Sequence, residues 1–206
     1  NPNYQEIGGR KVYPSLKDAQ QEIGAVDMAV LGVSNERLEA ALDDAIAAGV
    51  KAATIFASGY LETDREPKLT QRIAAKAREA GIQICGGNCM GFYNLSYGLR
   101  VCGFPPPPWM RKGGAVLLTH SGSVYSGICH NDKRMGWALA VSAGQELTTT
   151  VADYLDYALM MPETRCIGLF LETVRDPAGF VAGLEKARAF DIPVIALKVG
   201  KTAASA

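Results

Sequence analysis

His120, Ser121, Gly122 and Ser123 follow an apolar, strand-like run at 115–119 and precede a plausible helix. A strand feeding a Ser/Gly turn at a helix start leaves main-chain N–H groups unpartnered, and the helix dipole adds positive charge there. Such a bend suits a bound anion, phosphate above all. Serine capping of a helix, with no ligand, would use the same residues. A second bend, Gly86, Gly87, Asn88, Cys89, Met90 and Gly91, closes the preceding α/β unit. Two bends at strand ends predict two ligand-binding edges on one polypeptide.

Other chemistries fit these residues less well. Ser121 stands between strand and helix like a nucleophile elbow, but Thr119 takes the place of the first glycine in G-x-S-x-G. Cys89 has no histidine beside it in sequence to activate it and also reads as a small buried residue. Cys85 and Cys89 form C-x3-C, which is not a zinc spacing, so no metal site is expected. His120 reads as a turn residue near the anion, and His130 as an exposed or partly packed helical residue.

These bends need a scaffold to hold them. Of the 206 residues 48% are hydrophobic and 20% charged, enough for one large core or two modest ones. Basic and acidic residues balance at 21 each, which argues against nucleic acid or an anionic membrane surface as partner. No apolar run is long enough to span a bilayer, and the start lacks a signal-peptide layout. Five cysteines, an odd number, fit reduced thiols and a cytoplasmic setting.

Apolar runs at 27–33, 52–57, 82–85, 115–119, 138–142, 166–171 and 194–199 read as strands. Most are continuously apolar, as in sheets covered by helices on both faces. Between them the pattern predicts helices at 35–48, closed by Gly49, at 67–80, closed by Gly81, at 151–161 behind Thr148, Thr149 and Thr150, and at 177–190 capped by Asp176. The expected class is α/β, with two doubly wound parallel-sheet domains. The four-proline run at 105–108 and Gly113-Gly114 place a stiff linker at 105–114, separating domains at 1–104 and 115–206. The first domain has three clear strands and no initial strand with a Gly-rich loop, and both ends read as cut.

In order along the chain, residues 1–4, 13–16, 26–33, 49–51, 58–59, 81–91, 121–123, 142–144, 151–172 and 198–202 resemble the α-subunit half of the NDP-forming acyl-CoA synthetases, the superfamily of succinyl-CoA synthetase and ADP-forming acetate–CoA ligase. No single stretch is diagnostic, but the ordered set is specific. The resemblance implies a Rossmann-like CoA-binding domain, then a flavodoxin-like ligase domain. It further implies an ATP-grasp domain or β-subunit that binds ATP or ADP with Mg2+, and an oligomeric enzyme. The reaction it implies converts acid, CoA and ATP reversibly into acyl-CoA, ADP and phosphate, through an acyl phosphate and a phosphohistidine.

By the same resemblance, Ser121, Gly122 and Ser123 bind phosphate, and Asn88 and Cys89 lie beside the CoA sulfur and the acyl phosphate. Gly87 stands where the family has proline, which predicts a less rigid turn. Pro2, Tyr4, Val33, Ser34, Ser58 and Gly59 are expected to line the CoA nucleotide, although Tyr4 and Ser34 depart from the family's lysine and proline. Glu172 is expected to hydrogen-bond the phosphohistidine, a carboxylate on one ring nitrogen raising the basicity of the other; pairing with Arg175 is its alternative. The family places that histidine just beyond 198–202, past the end of this sequence. A serine hydrolase acting through Ser121 and a non-catalytic CoA-sensing module are the rival readings.

Overall fold

The computed structural model describes residues 3–131 and 133–200. Its elements run β1 (Glu6–Ile7), β2 (Arg10–Lys11), α1 (Leu16–Ile23), β3 (Met28–Leu31), α2 (Asn35–Ala47), β4 (Ala52–Ile55), α3 (Leu69–Glu79), β5 (Gln83–Gly86), β6 (Gly91–Asn94) and β7 (Leu99–Cys102). Then come β8 (Arg111–Thr119), α4 (Gly122–Asn131), β9 (Gly136–Ser142), α5 (Val151–Met160), β10 (Cys166–Leu171), α6 (Pro177–Ala189) and β11 (Val194–Lys198). The α/β class holds, with a parallel β3-β4-β5 sheet, a six-stranded sheet in the order β11-β10-β8-β9-β6-β7, and a short β1-β2 hairpin.

Each sheet has its own core. Against the smaller one, α2 and α3 bury Leu38, Leu42, Leu69 and Ile73 on Leu31, Ile55 and Ile84. Gly49 closes α2 at φ 72°, a left-handed angle that glycine adopts without a Cβ clash. In the larger sheet β8 shows the two-residue period of a strand covered twice. Val116 and Leu118 join Leu155 and Leu159 of α5 on one side. Ala115 and Leu117 face Tyr125 and Cys129 of α4 on the other. Fully burying each such leucine contributes about 1.5–3 kcal/mol.

Sheet membership corrects the expected division at 105–114. β6 pairs antiparallel with β9, and β7 with β6, so both belong to the larger sheet. Tyr93 of β6 stacks on Tyr125 of α4 at 5.6 Å, inside the second core. The crossing between the sheets therefore falls in the bend at 86–91. The proline run lies between β7 and β8, within one sheet, and β8 begins at Arg111, inside the expected linker. The larger sheet is mixed rather than wholly parallel, through this added hairpin.

Two threonines stitch the units together. Thr148 Oγ1 accepts the Ile84 N–H at 2.7 Å, and Thr149 Oγ1 donates to Gln83 Oε1 at 3.2 Å. Thr150 caps α5, accepting the Asp153 N–H. Of the three threonines expected to cap this helix, one does so and two bridge to β5.

Candidate active-site cleft

The end of β8 is fixed from every side. Thr119 O accepts the Ala143 N–H at 2.8 Å, and His120 N–H donates to Phe170 O at 3.1 Å. Thr119 Oγ1 accepts the Ser121 N–H at 2.9 Å, turning the chain into α4. Ser121 Oγ then accepts the Val124 N–H at 3.3 Å, so the capping role is real. The Gly122 and Ser123 amides, in the first turn, have no protein acceptor among the described residues. A Cβ on Gly122 would sit 2.8 Å from Met90 Cγ, which shows how closely Met90 lies over this bend.

The second bend is held by main chain. Asn88 N–H donates to Ala57 O at 2.9 Å, Gln145 N–H to Gly87 O at 2.8 Å, and Leu147 N–H to Gly86 O at 2.9 Å. These three bonds pin the bend, in which Gly87 stands where proline was expected. Gly144 packs directly beneath the bend at φ 61°, where a Cβ would meet Gly87 O at 2.1 Å. Asn88 itself adopts φ 53° and exposes its side chain. Cys89 is 4% exposed, with Sγ turned inward to Ile55 O at 3.3 Å. Its hydrogen bond with Cys85 and its burial hold the thiol far above the ordinary range. Protonated and inward, it offers the cleft its main chain rather than a nucleophile.

Both bends open into one cleft of about 780 Å³. Asn88, His120, Ser121, Gly122, Ser123, Ser126, Gln145 and Glu172 form its polar side. Phe56, Met90 and Phe104 form its apolar side. A neighbouring trough of about 620 Å³ runs past Ser58, Gly59 and Asp64. Gln145 lines both spaces and donates through Nε2 to Ser58 O at 2.9 Å. Its Oε1 is buried with no partner, an orphaned acceptor at the junction. Asn35 fixes the second bend of this trough, accepting the Gly59 N–H at 2.9 Å.

Not every expected residue converges here. Tyr4 is 56% exposed, and neither it, Val33 nor Ser34 is among the residues lining the two spaces. Ser34 precedes α2, and its hydroxyl helps hold the Glu36 carboxyl below its ordinary range. Pro2 and the stretch 201–202 lie outside the described residues. His130 packs among Tyr93, Phe104 and Tyr125, with Nε2 3.2 Å from Tyr93 Oη.

Glu172 lies at the cleft, but Arg175 does not pair with it as the alternative reading had it. Arg175 Nε instead sits 3.4 Å from Oε2 of Glu146, a residue that sequence reasoning missed. Its signal was faint: one acidic residue ahead of a threonine run. Glu146 Oε1 lies 3.2 Å from His120 Nε2, and the Glu172 N–H donates to His120 Nδ1 at 3.0 Å. Both ring nitrogens of His120 thus face Glu172 and Glu146, and no hydrogen bond among the described residues joins the ring to Ser121 as a hydrolase's base would be joined.

Comparison with known proteins fits this geometry. The family model for a CoA binding domain matches residues 1–94, and that for a succinyl-CoA ligase-like flavodoxin domain matches 112–206. The chain belongs to the NDP-forming acyl-CoA synthetase superfamily. Within this superfamily it is 31% identical to an ADP-forming acetate–CoA ligase of Methanocaldococcus jannaschii, over 98% of the chain and 28% of that protein. To the α subunit of ADP-forming acetate–CoA ligase II of Pyrococcus furiosus it is 28% identical, over 98% of the chain and 43% of the subunit. An acetyl-coenzyme A synthetase of Ca. Korarchaeum cryptofilum superposes over the whole chain with TM-score 0.86 and 26% identity, the match covering 44% of that structure. The chain therefore spans less than half the length of these superfamily members. Among the described residues no helix is long and apolar enough to cross a membrane.

Proposed function

We propose that this chain is the acyl-CoA-forming part of an ADP-forming acid–thiol ligase. It would act with an ATP-grasp domain or subunit that binds ATP and Mg2+, in an oligomeric cytoplasmic enzyme. The observation carrying this reading is the single cleft onto which Ser121–Ser123 and Asn88 both open. Free amides at Gly122 and Ser123 and the α4 dipole suit the phosphoryl oxygens of an acyl phosphate. Asn88, held by its pinned bend, orients the acyl carbonyl. The trough past Ser58 and Gly59 suits the rest of CoA. The thiol of CoA supplies the nucleophile. The C–O bond to phosphate breaks as the C–S bond forms, so acyl phosphate and thiol give acyl-CoA and inorganic phosphate.

Glu172 is assigned the carboxylate role toward a phosphohistidine. Neither histidine of this sequence serves as that carrier in the proposal. Both ring nitrogens of His120 face protein groups, and His130 packs against Tyr93. The carrier is assigned to residues outside this sequence.

The half-reaction tests the proposal directly. Acyl phosphates of short carboxylic acids, mixed with CoA and this chain, should give acyl-CoA detectable by thioester absorbance. Asn88→Ala should slow it by roughly 10²-fold, the loss seen when one oxyanion donor is removed, whereas Ser123→Ala, which keeps the main-chain amide, should slow it much less. CoA binding with no thioester formed, from any acyl phosphate or in the assembled enzyme with ATP, would favour the CoA-sensing module instead.

A further inference from the structure

His120 immediately precedes the phosphate bend and borders the same cleft, yet its ring nitrogens face Glu172 and Glu146. Its side chain is 3% exposed and that of Glu146 is 1% exposed. Nδ1 accepts the Glu172 N–H at 3.0 Å. A ring nitrogen that accepts carries no proton, so the neutral imidazole holds its proton on Nε2. Nε2 stands 3.2 Å from Glu146 Oε1 but off the line of a hydrogen bond, and it has no other partner among the described residues. Glu146 is itself fixed from two sides. Oε1 accepts the Val151 N–H at the start of α5, and Oε2 faces Arg175. A buried carboxylate is costly unless so paired, and the first turn of a helix favours its charge.

The place of this pair in the sheet explains what it does. β8 and β10 are neighbouring parallel strands, and their ladder ends with Phe170 opposite Thr119. Glu172 and His120 each lie just past the strand end. The bond from Glu172 N–H to the imidazole continues the ladder with a side chain where main-chain pairing has stopped. On the other flank the Val199 N–H holds Leu171 O at 2.8 Å.

We infer that His120, backed by Glu146, is a positioning residue that fixes the Glu172 main chain and so aims the Glu172 carboxylate into the cleft. This rests on the role assigned to Glu172 above. His120 touches no reacting atom and acts through Glu172 alone.

Two measurements test it. The first is the ¹⁵N spectrum of the imidazoles at neutral pH; the chain has two histidines, so His130→Gln assigns the signals. The expected result is His120 with a bare Nδ1 and a protonated Nε2. The opposite tautomer, or a ring protonated at both nitrogens, overturns the inference. The second uses the assembled ligase with acid, ATP and CoA. His120→Leu should lower kcat roughly ten- to hundredfold, as loss of an orienting partner does, and leave KM for CoA within about twofold. His120→Asn, whose Oδ1 can stand in for Nδ1, should recover most of the rate. In a Glu172→Gln background His120→Leu should cost little more, since both act through one carboxylate.

An unchanged kcat in His120→Leu overturns the inference, and so does an equal loss in the Leu and Asn variants. If His120→Leu does not fold, His120→Asn decides: a rate near wild type supports positioning, and a loss equal to that of Glu172→Gln overturns it. A wild-type ligase that forms no acyl-CoA overturns the functional reading and Glu172's catalytic part with it. A wrong tautomer in an active enzyme overturns the positioning alone.

Discussion

Two glycines at the cleft tolerate a methyl group very differently, because of what each faces. At Gly144 a Cβ would meet the Gly87 carbonyl at 2.1 Å on a backbone held at φ 61°. Neither the carbonyl nor the angle can yield without unpinning the bend that carries Asn88. Gly144→Ala is therefore expected to destabilise by on the order of 2 kcal/mol or more. In a chain of this size that lowers Tm by roughly 4–8 °C, readable by calorimetry. At Gly122 the Cβ would meet Met90 Cγ at 2.8 Å and Sδ at 3.1 Å, atoms of a flexible side chain rather than of the backbone. Gly122→Ala should keep Tm near wild type. The displaced Met90 and the crowded amide should still slow acyl-CoA formation by roughly tenfold, through misplacement at the reacting atoms. Equal Tm for both variants would contradict the close approach at Gly144.

Between elements, the α2–α3 contact is tied by charge. Arg72 of α3 reaches Glu39 of α2 and Asp64 of the preceding loop, both at 3.1 Å, and Lys76 lies 3.3 Å from Glu39. The Leu69 N–H and Arg72 hold the Asp64 carboxyl below its ordinary range. Burial pushes Glu39 up, but Arg72 and Lys76 outweigh it and bring it below that range too. Carboxyls lowered on folding contribute stability that is fully present above their unfolded pKa, about 4, and is lost as pH falls through their folded values. Asp64→Asn should thus lower Tm at pH 7, with the gap to wild type narrowing as pH falls below about 4 in melts carried into the acid range. A gap that widens toward acid would reverse the assigned sign. Helices α2, α3 and α6 were legible, because Gly49, Gly81 and Asp176 punctuate them and their apolar stripes repeat every three or four residues; α1 was not. β6 and β7 were not. They are four-residue strands of mixed polarity; the place of β6 is decided by pairing with β9, 40 or more positions away, and β7 is added only through β6. The same holds within the cleft. Ser121 and Asn88 are marked by local strand-to-turn patterns, whereas Gln145 meets Ser58 across 87 positions and no local pattern announces it.

For the whole molecule, the decisive question is where a phosphoryl group from ATP could rest. A carrier histidine needs an exposed nitrogen that can move between two sites. His120 has one nitrogen on the Glu172 N–H and the other facing Glu146, and its side chain is 3% exposed. His130 sits in the last turn of α4, with Nε2 near Tyr93 Oη and the Phe104 ring edge-on at 6.1 Å. Phosphorylating His120 would bury a dianion at a cost of several kcal/mol, and on His130 the phosphoryl group would crowd Tyr93 and Phe104. Two of the thiols are poor substitutes: burial pushes Cys129 up to about 12, and Cys89 faces inward. Incubated with γ-labelled ATP, this chain alone should take up no label and form no acyl-CoA from acid and CoA. With the nucleotide-binding part supplied, label should appear as acid-labile, base-stable phosphohistidine on residues outside this sequence. It should then be discharged by acid and CoA together. Label on His120 or His130, located by peptide mass spectrometry, would refute the assignment of the carrier. Turnover from acid, ATP and CoA by this chain alone would refute the division of labour between the two parts.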